Sequence, residues 1–145
     1  MSAPTSRPGF AFSTRLKVRY AEIDGQKIVF NSRYLEYADV AVTEFWEAAD
    51  MAGKLGDEDW ESNVRHAEVE FLKPFKLGDS FDIWCRVERI GNSSFTQRLE
   101  MTHAVTGELH NVVTIVAVGV DLSTGRPVPH STRVRAFLES LIPPP

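Results

Sequence analysis

Between residues 14 and 20 the chain alternates, setting apolar Leu16, Val18 and Tyr20 against basic Arg15, Lys17 and Arg19, as a half-buried strand does. Beyond the loop 21–30 the period lengthens. From 32 to 52 apolar residues fall into two helical stripes, one through Tyr34, Ala38, Ala41, Phe45, Ala48 and Ala52, the other through Leu35, Val42, Trp46 and Ala49. Only a narrow polar strip remains, so this helix must be wrapped by other elements. Asn31 and Ser32 suit the start of the helix, and Gly53 stands where a left-handed C-terminal residue is expected. After a polar connection, alternation returns over 64–72, with Ala67, Val69 and Phe71 opposed to His66, Glu68 and Glu70. It recurs over 80–90, where Phe81, Ile83, Cys85 and Val87 share a face. Pro74 ends the earlier strand, and Gly91-Asn92-Ser93 turns the later one into 94–104. The nearly continuous apolar run 112–120 suits a strand covered on both faces, and 132–141 reads as a short C-terminal helix. One long helix against about five mostly antiparallel strands predicts an α+β domain.

Composition narrows the function classes. A chain of 145 residues fits one domain. With 16 basic and 20 acidic residues, the net charge of −4 gives no field for nucleic acid or a membrane surface. No apolar run approaches the roughly 20 residues of a membrane span. Residues 1–13 lack the apolar stretch of a secretory signal and read as a flexible arm. The single cysteine, Cys85, excludes an internal disulfide and fits a reducing cytoplasm; its strand position predicts a buried, inert thiol. The four histidines lack metal-ligand spacing, and neither a nucleophile elbow nor a phosphate-cradling glycine loop is present, so neither metal nor cofactor is expected.

The chemistry concentrates before the long helix. Asp24 lies shortly ahead of the predicted helix start, and a helix start offers free N–H groups and a positive dipole end to a developing oxyanion. The stretch reads Arg19-Tyr20-x-Glu22-x-Asp24, then, after three residues, Ile28-Val29-Phe30-Asn31-x-x-Tyr34-Leu35-x-Tyr37. Further on stand Phe71-Leu72-Lys73-Pro74-Phe75-x-Leu77-Gly78-Asp79, Ile90-Gly91-Asn92-Ser93-Ser94-Phe95 and Thr124-Gly125-Arg126-Pro127. Together these segments resemble the hot-dog-fold acyl-CoA thioesterases of the 4-hydroxybenzoyl-CoA thioesterase type, over residues 14–140.

The resemblance implies one hot-dog domain over 14–142, a long central helix wrapped by a curved sheet of about five or six strands. It implies hydrolysis of an acyl-CoA, with Asp24 as general base or nucleophile and the backbone N–H of Asn31 polarising the carbonyl. Tyr34 would form pocket wall, and Asp39 matches an acidic helix position of the 4-hydroxybenzoyl branch. Arg126 is one of several basic residues suited to coenzyme A phosphates. Lys27 stands where many relatives have Gly, so it would alter the loop's backbone or approach a coenzyme A phosphate, and Asn31 stands where many have His. The resemblance also implies a homodimer or homotetramer with sites at subunit boundaries. Two other readings stay open: a non-catalytic hot-dog module binding acyl thioesters or an acyl-carrier protein, and a hydratase, which the lack of a His in loop and helix disfavours.

Overall fold

The computed structural model describes residues 6–144. Its elements are β1 (Phe12–Lys17), a short turn of 3-10 helix at Tyr20–Glu22, α1 (Arg33–Ala48), α2 (Met51–Leu55), β2 (Glu61–Phe71), β3 (Ser80–Ile90), β4 (Ser94–His103), β5 (Leu109–Val120) and α3 (Thr132–Ser140). The strands form one five-stranded sheet in the order β1-β3-β4-β5-β2, every neighbouring pair antiparallel. Register shifts at Val64/His66, Val87/Arg89 and Met101/Thr102 add local twist, which lets the sheet curl around α1. The α+β expectation and the helix-in-sheet arrangement both hold.

The inner face of α1 buries Tyr34, Tyr37, Ala38, Ala41 and Phe45. They share one core with Phe81, Ile83, Val87, Leu99, Met101 and Val113 from the sheet. A second cluster joins Phe95 and Ala117 to Val134, Phe137 and Leu138 of α3, with Trp46 and Trp60 at its margin. Cys85 is buried with 1% exposure, and that burial pushes its thiol up to about 12, so it is inert as expected.

Several local expectations are corrected. The long helix does not run to 52. It stops at Ala48, and Asp50 takes the left-handed conformation at φ 55°, which a short polar side chain tolerates. Gly53 lies inside α2, where a Cβ would overlap the Asp50 carboxylate, and α2 ends at Gly56 with φ 58°. Tyr20 is 80% exposed because β1 ends at Lys17, before the alternation does. Phe71 points to the helix side, its ring 5.5 Å from Tyr34, but stays 57% exposed because β2 is an edge strand.

Of the expected flexible arm, residues 1–5 lie outside the described residues. The part that is described is bound to the sheet. Arg7 Nε donates to Glu100 Oε1 at 2.8 Å, Arg86 lies 4.6 Å over the Phe10 ring, and Phe12 already pairs with Cys85.

Candidate active site

The loop between β1 and α1 folds back as a narrow hairpin. Ile23 bridges Val29, Ile28 bridges Lys76, and the four residues Asp24 to Lys27 make the turn. The Asp24 N–H donates to the Ile28 carbonyl at 2.9 Å, and the Lys27 N–H to the Asp24 carbonyl at 2.9 Å. Lys27 closes this turn at φ 64°, a conformation natural to glycine and strained for a side chain. The loop therefore keeps the glycine-type backbone that the motif calls for, with a lysine in it.

Asp24 is half-buried, and one of its oxygens accepts the Gln26 N–H at 2.8 Å. That bond fixes the carboxylate and leaves its second oxygen without a partner among the described residues. At the other end of the loop, Phe30 N–H donates to the Glu22 carbonyl and Arg33 N–H to the Phe30 carbonyl, both at 2.9 Å. The Asn31 N–H between them has no acceptor among the described residues. Ser32, at the cap position, is helical at φ −70° and ψ −18° and makes no side-chain cap bond. The two residues thus do not cap with their side chains, and the N–H groups stay available.

Asp24, Asn31 and Tyr34 line one cleft of about 350 Å³, walled on the far side by Phe71, Leu72 and Lys73. Tyr34 is 2% exposed, and its hydroxyl accepts the Phe75 N–H at 3.2 Å. Burial pushes that phenol above its ordinary value, so it stays neutral. The Phe75 carbonyl accepts the Val29 N–H at 2.9 Å, so the far wall is tied to the loop as well as to the helix.

Glu22 does more than its place in the motif suggests. It is 8% exposed, and its carboxylate accepts from Arg19 N–H (2.8 Å), Arg19 Nε (3.1 Å), Arg19 Nη2 (2.9 Å) and the Tyr37 hydroxyl (2.9 Å). Side chain and carbonyl together pin the start of the loop, its end and the second turn of α1. The spacing Arg19-x-x-Glu22 was the available signal in the sequence.

Two expected residues lie elsewhere. Asp39 is exposed on α1 and lines a separate cleft beside β2. Arg126 is exposed in the loop after β5, next to the Val120–Pro127 bridge. Val120 pairs with Glu61 at the start of β2, while the Asp24 cleft borders Phe71 at its end. Ten strand steps, from 61 to 71, separate them by about 33 Å, so Arg126 does not reach this cleft within one chain. Lys27 sits at the exposed loop tip, beside Asp24 but outside the cleft lining.

Residues 18–138 match the thioesterase-like superfamily. The chain belongs to that family. It is a thioester hydrolase, and its curved antiparallel sheet around α1 is the hot-dog fold. A thioesterase from Thermus thermophilus, solved in complex with coenzyme A and Zn, is 26% identical with a TM-score of 0.79, covering 96% of this chain and 100% of that one. YbaW of Escherichia coli, named a "Probable Thioesterase", is 23% identical with a TM-score of 0.81, covering 90% of this chain and 98% of that one. Slr0204 of Synechocystis, a 1,4-dihydroxy-2-naphthoyl-CoA thioesterase, is 18% identical with a TM-score of 0.78, covering 92% and 98%. Among the described residues of this thioesterase no group of three or more His, Cys, Asp and Glu could hold a metal ion. No helix among them is long and apolar enough to cross a membrane.

Two outcomes follow from the loop. Replacing Lys27 by Gly relieves the strain at φ 64° while adding unfolded-state freedom, so Lys27→Gly is expected to be neutral or stabilising by up to about 1 kcal/mol in urea unfolding. A loss of stability would show that the lysine side chain holds the turn. Burial raises the Glu22 carboxyl, but the Arg19 and Tyr37 bonds outweigh it and carry it below its ordinary value of 4.5. Its folded value is thus the lower one, so its contribution is complete above pH 4.5 and fades as pH falls through the folded value. Calorimetric Tm should drop below that pH, and Glu22→Gln should flatten the acid-side slope; equal slopes in both proteins would refute the assignment.

Proposed function

We propose that this thioesterase hydrolyses an acyl or aroyl thioester of coenzyme A to the free acid and coenzyme A at the Asp24 cleft. The observation that carries this reading is the meeting, in one cleft, of a carboxylate oxygen and a backbone N–H that both lack a partner among the described residues. The thioester carbonyl oxygen accepts from Asn31 N–H, and charge developing on it in the tetrahedral intermediate strengthens that bond. The free Asp24 oxygen either takes a proton from an attacking water or adds to the carbonyl carbon itself. In both routes a C–O bond forms, the C–S bond breaks, and coenzyme A leaves as the thiolate, which is then protonated; in the nucleophilic route water then hydrolyses the Asp24–acyl anhydride, releasing the free acid and restoring the carboxylate. The Thermus relative's complex with coenzyme A supports this substrate class. Lys27, at the loop tip, and Lys73, in the cleft wall with its ammonium 2.9 Å from Glu108, are candidates for its phosphates.

The proposed working unit is a homodimer or homotetramer. Among the described residues no strand lies beside the outer edge of β2, and apolar Phe30, Leu35, Val64 and Phe71 stand exposed around it. A second copy pairing there would border the cleft.

Asp24→Asn should lower thiol release from an acyl-CoA panel by at least ~10² while leaving the fold intact by circular dichroism. Near-normal turnover in the folded variant would remove the central claim. Absence of release by the wild type, alongside saturable acyl-CoA binding, would turn the assignment to a binding module. Sedimentation equilibrium should give at least twice the 16.3 kDa chain mass; a monomer at micromolar concentration would remove the proposed assembly.

A further inference from the structure

A second cleft, of about 400 Å³, lies between α1 and β2 on the same seam as the Asp24 cleft. The helix side of this cleft is the stripe Leu35, Asp39, Val42 and Trp46, which continues one turn at a time from Asn31. The strand side holds Ala67, one cleft further along β2 from Phe71. The two clefts share no lining residue but lie one after the other along the same helix face and the same strand, beginning at the Asn31 N–H. Trp46 and Phe95, with ring centroids 5.8 Å apart, close the far end.

The floor of this second cleft carries one group that an apolar cleft does not require. Gln97 stands on the inner face of β4 between Phe95 and Leu99 and is only 2% exposed. One end of its amide meets Cys85 Sγ at 3.8 Å, a weak partner, and the other end has no partner among the described residues. Whichever way the amide is turned, one strong polar atom is left to the cleft. Register fixes its depth. Gln97 pairs with Ile115, which pairs with Ala67, four residues or about 13 Å along the strand from Phe71. Asp39, across the cleft on α1, lies eight residues or about 12 Å from Asn31.

We propose that the acyl group of the substrate runs along this seam and that Gln97 bonds a hydroxyl on it about 12 Å from the reacting carbonyl. This rests on the reading of Asp24 and Asn31 as the reacting centre, and it names the acyl class: an extended chain bearing a hydroxyl near its tenth carbon, not a compact aroyl group. A bare hydrocarbon laid over Gln97 would strip water from its free polar atom without replacing the bond, whereas a hydroxyl, donor and acceptor at once, satisfies either end of the amide. Asp39, exposed at the rim, is a second polar group lining the same cleft.

A chain gains roughly 1.3 Å per C–C bond, so ω-hydroxydecanoyl-CoA brings its oxygen to the level of Gln97. Its kcat/KM against that of decanoyl-CoA is expected to be higher by at least ~10-fold in the wild type, and the ratio should fall to about 1 in Gln97→Met, close in shape but unable to make the bond. Gln97→Leu stands in should the methionine variant not fold. A wild-type ratio near one, or a preference that survives loss of the amide, would overturn the proposal. The two free acids, ω-hydroxydecanoic and decanoic, titrated calorimetrically into the same proteins, read the same preference without turnover. A preference in binding with no thiol release would leave the seam assignment standing and remove the hydrolytic reading instead. Thiol release that Asp24→Asn abolishes, with no preference in either assay, would do the reverse.

Discussion

The closeness of α1 to the sheet sets everything else in this domain. Ala38 and Ala41 are both at 0% exposure, small enough to let the helix lie low against the sheet, while Tyr34, Tyr37 and Phe45 fill the space around them. The two tyrosines then serve twice. Their rings belong to the core, and their hydroxyls reach its edge, Tyr34 to the Phe75 N–H and Tyr37 to Glu22. The far wall of the cleft and the start of the Asp24 loop are both measured from the same two turns of one helix. A helix shifted by a fraction of a turn would move both together.

The free donor exists because of what the chain does not do. Compare the starts of the two longer helices. Before α3, Ser131 is extended at ψ 164° and its hydroxyl accepts the Val134 N–H, the ordinary way to satisfy an exposed helix end. Before α1, Ser32 is already helical and makes no such bond, although the residue types there are equally capable. The loop is held down by Glu22 and Phe75, so its geometry is dictated from outside and the usual cap does not form. An N–H left open at a helix start costs stability in a bare structural element and is useful where a carbonyl oxygen must be held.

These differences explain how much could be read from the sequence. Strands with one buried face declare themselves by alternation, and β3 and β4 lie where the pattern puts them, because a one-residue slip would expose Phe81, Ile83 and Leu99. The stripe on α1 was equally plain. Its end was not, since Gly53 looks like a stop while Asp50, which tolerates the left-handed region, takes that role. The meeting of Asp24, Asn31 and Tyr34 in one cleft was legible because all three lie within one loop and the first helical turn. Arg126 was not placeable, because pairing order and register, which set it about 33 Å away, are not written in local pattern. Glu22 was underrated for a related reason: its weight comes from Tyr37, 15 residues further along the chain, and from burial that only the packed loop reveals.

The open edge of β2 joins assembly to chemistry. The sheet has curled so far around α1 that its last strand contributes Val69 to the core while Val64 and Phe71 stay exposed. That same lifting of β2 from the helix creates the seam along which the two clefts lie. Hydrogen bonds from a backbone N–H to a developing oxyanion gain strength as water is excluded, and in the isolated chain the Asn31 donor stands at an exposed residue. Covering the β2 edge with a second copy would bury the apolar rim and dry the donor in one step. In the proposed assembly, the pairing that removes an exposed strand edge would also complete the site, and catalytic competence would belong to the assembled protein and not to the single chain.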